Sequence, residues 1–367
     1  TQMSRAAIDA MLPYLETIYG NPSSLHSVGQ QAAGALLSAR DRIAKCLNAS
    51  PREIYFTSGG SEADNQAILS AARLGERKGK KHIISTAFEH HAVLHTLKKL
   101  EKEGFTVELL PVGPIGTVTA QQVKRAIRED TCLVSVMYAN NEIGSILPIS
   151  EIGAVCRAAG VLFHTDAVQA FLKIPFRADT LGADLISVSA HKLGAPKGIG
   201  GLYLGERIRA PKPLIFGGGQ ESGLRSGTEA TGQIAGFAKA VELRADHLDE
   251  KLAHVAAIKT YAEEKLLALD GVVRIGDGTA PHILSISLVG YPSANVVTEL
   301  GAQGICISAG SACHRGQLSH VYRAMGLDKK TAAGVLRVSF SPETTKEEID
   351  ALVSALKAHR DTRFPML

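Results

Sequence analysis

The sequence lacks long apolar runs, dense basic clusters and paired cysteines. Its uninterrupted apolar stretches are far shorter than the ~18 residues that a bilayer-spanning helix needs, so a membrane is not predicted as a partner. The 40 basic and 36 acidic residues give a net charge of +4 without a dense Lys/Arg run, which does not favour nucleic acid. The five cysteines are scattered and form no C-x-x-C pair, which argues against a disulfide framework or a zinc site. They predict reduced thiols in a cytoplasmic protein.

The length and the order of elements predict an α/β protein of two domains. The chain has 367 residues, and a domain usually takes ~100–200. Short runs rich in β-branched residues alternate with stretches at helical spacing, which predicts parallel strands joined by crossover helices in a three-layer core. The predicted strands are 53–57, 82–86, 107–111, 133–138, 162–166, 185–189 and 201–204, and the predicted helices include 62–73, 92–103, 120–127 and 149–159.

The sequence pattern changes after Gly236, and this change predicts a second domain. A charged helical stretch, 237–269, leads to new strand candidates at 272–275, 282–288 and 334–340. We place the boundary inside this stretch, which gives a large domain at residues 1–245 and a smaller α+β domain at 246–367.

Three predicted strand ends carry polar groups suited to a ligand. The turn Gly59-Gly60-Ser61 lies between a strand and a helix, where backbone N–H groups can converge on an anion, although simple chain reversal explains such a turn equally well. Asp166 ends a buried strand, at the sheet edge where open α/β sheets bind ligands, but an Asp there can also be a helix N-cap. Lys192 follows the next strand and can form a Schiff base, whereas a lone lysine is usually a solvated surface residue.

Together these three groups match the requirements of pyridoxal 5′-phosphate (PLP). That cofactor needs an anion cradle, a carboxylate that keeps its pyridine nitrogen protonated, and an amine that forms a Schiff base. The three groups occur in neighbouring strand–helix units. A chance occurrence of all three there is less plausible than a chance occurrence of any one of them.

Seven motifs follow one another along almost the whole chain. They are Gly20-Asn21-Pro22-Ser23-Ser24 with His26, Thr57-Ser58-Gly59-Gly60-Ser61-Glu62, Glu89-His90, Asn140-Asn141-Glu142-Ile143-Gly144, Asp166-Ala167-Val168-Gln169, Ser189-Ala190-His191-Lys192 and Arg225-Ser226-Gly227-Thr228. In these motifs and in their order, the chain resembles the group I cysteine desulfurases, which belong to the class V aminotransferase branch of the fold-type I PLP-dependent transferases. The resemblance implies a three-layer α/β large domain with a mainly parallel sheet, plus a smaller α+β C-terminal domain.

The resemblance also implies roles for individual residues. Lys192 holds the cofactor through a Schiff base, Asp166 pairs with the pyridine nitrogen, and His90 stacks on the ring and relays protons. Asn141 and Gln169 contact the ring substituents. The phosphate is bound by Gly60, Ser61, Ser189 and His191, and by Thr228 of the partner subunit in a homodimer. Asn141 and Arg337 bind the substrate, Arg337 by clamping its carboxylate with a planar guanidinium.

The cysteine that decides the reaction is Cys313. It stands in Ser-Ala-Gly-Ser-Ala-Cys-His-Arg-Gly, a run of small residues typical of a loop, and His314 and Arg315 favour its thiolate. An isolated cysteine is more often a small buried hydrophobe. The resemblance implies that Cys313 is the persulfide-forming nucleophile in the conversion of L-cysteine to L-alanine. The sulfur then passes to an acceptor or to an iron–sulfur scaffold protein.

The other cysteines are predicted to pack in the interior. Cys306 lies in the apolar run Gly304-Ile305-Cys306-Ile307, and Cys46, Cys132 and Cys156 lie on helix or strand faces. A relay between Cys306 and Cys313 stays open as an alternative.

The sequence departs from the family pattern at its start and at Ser222. Relatives open with a Tyr-Leu-Asp strand before Ala-Thr-Thr, so we expect that the native protein has residues before Thr1. Relatives often carry a basic residue where this chain has Ser222. Two other functions stay open: a PLP enzyme that acts on another amino acid, selenocysteine included, and a catalytically silent scaffold for sulfur trafficking.

Overall fold

The larger part of the molecule is built on a seven-stranded sheet. The computed structural model describes residues 1–309 and 318–366. The strand order is β1-β7-β6-β5-β4-β2-β3; β7 runs antiparallel to both of its neighbours, and the other pairs are parallel. The strands are β1 (Ile54–Thr57), β2 (His82–Thr86), β3 (Thr106–Leu110), β4 (Thr131–Ser135), β5 (Leu162–Asp166), β6 (Leu185–Ser189) and β7 (Gly200–Leu204).

Helices cover both faces of this sheet. Successive strand residues point to opposite faces, and both faces are buried: Ile83 and Leu133 pack in one apolar cluster, whereas Ile84 and Val134 pack in another. This confirms the predicted three-layer α/β fold. The helices of this part are α1 (Arg5–Met11), α2 (Pro13–Glu16), α3 (Ser27–Leu47), α4 (Gly60–Glu76), α5 (His91–Lys102), α6 (Ala120–Ala126), α7 (Ile149–Ala158), α8 (Ala178–Leu181) and α9 (Thr231–Ala245), with short 3-10 turns at Pro51–Glu53, Ala190–Leu193 and Glu221–Gly223.

The second part contains an antiparallel sheet with the strand order β10-β11-β9-β8. It has its own apolar cluster, which includes Leu284, Val296, Leu336 and Leu352. Its elements are α10 (Leu248–Leu267), β8 (Val272–Arg274), β9 (Ile283–Leu288), α11 (Ser293–Ala302), β10 (Ser308–Ala309), α12 (His320–Ala324), α13 (Lys329–Ala333), β11 (Val335–Ser339) and α14 (Lys346–Thr362).

The helix predicted at 237–269 is divided into two. Helix α9 ends at Ala245, and His247 adopts a left-handed conformation with φ of 49° before α10 begins. The ammonium of Lys251 donates a hydrogen bond to the carbonyl of Leu243 at 2.6 Å and another to the carbonyl of Asp246. These bonds satisfy carbonyls that the end of α9 leaves without helical partners, so the break is stabilised locally.

The break lies next to the boundary proposed between residues 245 and 246. The apolar clusters do not divide at that point in sequence, because Val321, Tyr322 and Met325 pack with the core of the larger part. The division into 1–245 and 246–367 is therefore our interpretation of the chain order. In the described part of the chain, none of the helices combines the length and the apolar character that crossing a bilayer requires.

Candidate active site

The candidate site is a cavity at the carboxyl ends of β5 and β6. These strands pair in parallel, with Asp166 opposite Ser187, so residues that follow them meet at one edge of the sheet. The cavity has a volume of about 350 Å³. Ten of the residues predicted from the sequence line it: Gly60, Ser61, His90, Asn141, Asp166, Gln169, Ser189, His191, Lys192 and Arg337.

Asp166 places a buried carboxylate at the end of β5. Its side chain is 6% exposed, and its Oδ1 accepts a hydrogen bond from the Val168 N–H at 2.9 Å. Burial raises the pKa of Asp166, while the Val168 N–H and the nearby His90 and Lys192 act in the opposite direction. The chain after Asp166 forms turns and no α-helix, so Asp166 does not act as a helix N-cap.

The predicted anion cradle is the turn between β1 and α4. Helix α4 begins at Gly60, so its first N–H groups and the positive end of its dipole face the cavity. A Cβ atom on Gly60 would lie 2.8 Å from Cγ2 of Val168 and 3.4 Å from Cβ of Ser189. A side chain at position 60 would therefore crowd the cradle. The close approach of Val168 and Ser189 therefore favours glycine at position 60.

Ser189 and His191 complete the polar lining beside this turn. The Ser189 hydroxyl lies 2.9 Å from Nδ1 of His191. Burial, followed by repulsion from Lys192, lowers the pKa of His191 to about 4. The His191 ring is therefore neutral at neutral pH and carries one N–H donor.

His90 is the N-cap residue of α5. Its Nδ1 accepts a hydrogen bond from the Ala92 N–H at 3.1 Å, so a neutral ring carries its proton on Nε2. Because His90 also lines the cavity, this bond fixes its ring at the mouth of the site.

Arg337 brings the second sheet to the site. From β11 its guanidinium donates to the backbone carbonyl of Asn141 at 2.8 Å and to the Ser308 hydroxyl at 3.1 Å. Its Nε is buried without a hydrogen-bond partner among the described residues. Asn141 lines the cavity as well, so the two residues predicted to bind the substrate lie at the same cavity.

A second cavity of about 260 Å³ shares Lys192, Asn141, Gln169 and Arg337 with the first. Its lining includes Lys173, which the sequence reading missed. The Lys173 ammonium donates to Oε1 of Gln169 at 3.2 Å. Burial and repulsion from Lys192, Arg244 and Arg337 lower the pKa of Lys173 to about 7. The four-residue spacing from Gln169 is the one sequence signal that could have identified it.

Two further buried acids also escaped the sequence reading. Asp64 lines the first cavity, and Glu89 accepts hydrogen bonds from the Thr86 hydroxyl and the Met137 N–H. Both residues are about 1% exposed, and burial raises the pKa of Glu89 to about 8. Glu89 belongs to a quoted motif and Asp64 lies two residues after another, but nothing in the sequence shows that they are buried.

The prediction that Cys306 is buried was wrong. Ile305 and Ile307 pack against the second apolar cluster, so the alternation of an extended segment turns Cys306 outward, where it is exposed on the second cavity. Cys132 and Cys156 are buried as predicted, and burial raises the pKa of each to about 12. Cys46 is half-buried on α3.

Two other predicted residues lie away from the described lining. Thr228 is exposed and does not line the cavity of its own subunit. Cys313 lies outside the described residues. The described residues on either side of its segment, Ala309 and Ser319, both line the first cavity.

Comparisons with known proteins point to the same family as the motifs. A family model described as aminotransferase class-V matches residues 1–352. A Clostridium botulinum protein named cysteine desulfurase IscS is 42% identical over 356 residues, covering 95% of this chain and 89% of that protein. A solved structure named NifS-like protein has a TM-score of 0.93 at 35% identity and covers 99% of this chain and 97% of its own. Another, named SspA in complex with cysteine, has a TM-score of 0.83 at 35% identity. It covers 94% of this chain and 97% of its own.

The cradle predicts the effect of replacing Gly60. Gly60→Ala places a methyl group against Val168, so we expect the affinity for PLP to fall at least tenfold, measured by titration of the cofactor's absorbance. The matched control is Gly34→Ala in α3, where a Cβ meets nothing within 4 Å. Equal affinities in both variants would show that the phosphate binds elsewhere.

Proposed function

The chain belongs to the class V aminotransferase family and, within it, to the cysteine desulfurases; from this premise we propose that it uses PLP to convert L-cysteine to L-alanine and retains the sulfur as a persulfide on Cys313. The observation that carries this proposal is one cavity lined by Lys192, Asp166 and the Gly60 turn, with residues on both sides of the Cys313 segment at its wall.

The residues of the cavity fit the cofactor in charge and in shape. Gly60, Ser61, Ser189 and His191 would hold the phosphate, and the small groups around Gly60 support this assignment. Bound PLP supplies an electron sink that acidifies the Cα of an amino acid. The Asp166 carboxylate would hold the ring nitrogen in its protonated form.

The other residues would orient the ring and move the proton. His90 would contact the ring face, and Asn141 and Gln169 its substituents. The amine of Lys192 would hold the cofactor covalently and, once displaced by the substrate, take the proton from Cα. Lys192 lines both cavities, so its amine can serve the cofactor and the substrate.

The substrate carboxylate would bind Arg337. Its guanidinium is already oriented by the Asn141 carbonyl and the Ser308 hydroxyl, and its planar fork matches a carboxylate. The structure named SspA in complex with cysteine, at 35% identity, supports cysteine as the substrate class.

Sulfur transfer would then need one thiolate. The Cys313 sulfur attacks the substrate sulfur, the S–S bond forms, and the C–S bond breaks with its electron pair going to the carbon. The carbon takes up a proton, L-alanine leaves, and the persulfide sulfur passes to an acceptor protein or a reductant. Relatives named IscS support a role for the product in iron–sulfur cluster assembly.

We also propose a cytoplasmic location and a homodimer. The four cysteines of the described residues are free thiols, as in a reducing compartment. Tyr19, Leu25 and Phe216 are large apolar side chains that are 75%, 90% and 79% exposed, and burying them against a partner subunit would remove this apolar surface from water. Thr228, close to Phe216 in sequence, would reach the phosphate site of the partner subunit.

The proposed reaction predicts different results for substitutions at Cys313 and at Cys306. Cys313→Ala should lower the formation of alanine from cysteine by at least ~10²-fold, because no thiolate then attacks the substrate sulfur. Its spectrum should still change when cysteine is added. Cys306→Ala, the matched control, should keep wild-type turnover because the proposed reaction needs only the Cys313 thiolate and Cys306 does not line the first cavity.

Alanine and persulfide are measured together. Full turnover by the Cys313 variant would contradict the assignment, and loss of turnover in the Cys306 variant would support the two-cysteine relay. Turnover of other amino acids without a need for Cys313 would indicate a different PLP reaction.

The dimer is tested by placing a charge at Phe216. Phe216→Glu should halve the mass found by light scattering, because it buries a carboxylate in the proposed interface. Phe364→Glu is the control, since Phe364 is 89% exposed and lies near the C-terminal end. An unchanged mass in the Phe216 variant, or a monomeric wild type, would remove Phe216 from any interface.

A further inference from the structure

Asp64 is a buried acid to which the proposed reaction gives no role. It lies in the second turn of α4, on the helix whose first turn forms the phosphate cradle. Its side chain is 1% exposed and lines the cavity that contains Asp166. Its Oδ1 has no hydrogen-bond partner among the described residues. An orphan carboxyl oxygen at this depth calls for an explanation, because desolvating a charge is costly unless it is paired.

A histidine on β5 lies close to this oxygen. His164 is fully buried, and its Nε2 lies 3.6 Å from Oδ1 of Asp64 and 3.0 Å from the Ser187 hydroxyl. Its Nδ1 lies 2.8 Å from the Ser135 hydroxyl. His164 stands two residues before Asp166 on the same strand, so both side chains project from the same face of the sheet.

Three carboxyl groups therefore lie together in the interior. Asp64 from α4, Asp166 from β5 and Glu89 after β2 repel one another, and burial raises the pKa of each. Burial lowers the pKa of His164 to about 3, so its ring supplies no positive charge. His90 and Lys192 lower the pKa of Asp166, and neither of them is among the groups that act on Asp64.

A neutral Asp64 fits the hydrogen bonds of this network. Ser187 is a hydrogen-bond partner of Asp64. A protonated Asp64 donates to the hydroxyl of Ser187, Ser187 donates to Nε2 of His164, and Nδ1–H of His164 donates to Ser135. The Ser187 hydroxyl then gives one hydrogen and accepts one, and no buried charge is left on Asp64.

We propose that Asp64 is a neutral positioning residue, which holds its proton in the chain through Ser187 and His164 and thereby leaves the negative charge of this pocket on Asp166. This deepens the proposed function and rests on it, because the charge on Asp166 is the one that the cofactor's ring nitrogen would meet. Asp64 touches no reacting atom and acts only through its neighbours.

A protonated Asp64 makes the stability of the fold depend on pH, even without cofactor. Folded Asp64 keeps its proton, whereas unfolded Asp64 loses it above its ordinary pKa of ~3.9. The folded state then binds more protons than the unfolded state, so stability falls as the pH rises between these two pKa values.

The test compares wild type with Asp64→Asn in urea unfolding of the full chain without cofactor, from pH 5 to 7. The asparagine side chain has the shape of a neutral aspartic acid but cannot ionise. We expect the ratio of the wild-type unfolding constant to that of the variant to rise by up to about tenfold per pH unit. A ratio that does not change with pH would overturn the proposal, because it would mean that Asp64 is ionised in the fold.

A matched control uses a buried acid that is paired. Glu221 is 7% exposed and forms hydrogen bonds with Arg40 at 2.6 and 2.8 Å. Glu221→Gln leaves Arg40 without its counterion, so it should raise the unfolding constant at every pH. The ratio of the wild-type unfolding constant to that of this variant should not rise from pH 5 to 7.

Infrared spectroscopy gives a second readout, even if unfolding is irreversible. The carbonyl band of a protonated carboxylic acid should be present in wild type at pH 7 and reduced in Asp64→Asn; an unchanged band would overturn the proposal. With cofactor, Asp64→Asn should bind PLP within about threefold of wild type, and a tenfold loss would contradict a neutral Asp64. A wild type that binds no PLP would refute the proposed function and leave the unfolding result valid.

Discussion

A carboxylate buried at the end of a parallel strand is the constraint on which the site depends. Asp166 is almost fully buried, where a charge is unstable unless a cation and hydrogen bonds offset the lost water. The Val168 N–H, His90 and Lys192 supply part of this compensation. In the proposed complex, the protonated ring nitrogen of the cofactor would supply the rest.

The position of that carboxylate follows from the topology of the sheet. Because β5 and β6 are parallel neighbours, the chain leaves both strands at the same edge, and the turn Ala190–Leu193 carries Lys192 to the ligand side. The turn between β1 and α4 reaches the same place since β1 pairs with β7 and β7 with β6. Arg337 then closes the site from the second sheet, through its bonds to Asn141 and Ser308.

The sequence was a good guide where one local pattern decides the structure. The strands 162–166 and 185–189 were predicted with their observed ends, because in each of them a short run that begins with apolar residues ends at a polar residue. It failed where three-dimensional context decides. The outward position of Cys306 depends on Ile305 and Ile307 packing against a distant core, and the break at His247 depends on carbonyls that Lys251 satisfies. The sequence did not reveal Asp64 and Lys173, because their position in the site depends on burial and on charged residues that are far away in sequence.

The central claim is that Lys192 is the residue that holds the cofactor. It is tested most directly by incubating the protein with PLP, reducing the adduct with borohydride and locating the label by peptide mass spectrometry. The account predicts a single label on Lys192. A label on Lys173 or Lys251, the other lysines that line the second cavity, or the absence of any covalent label, would contradict it.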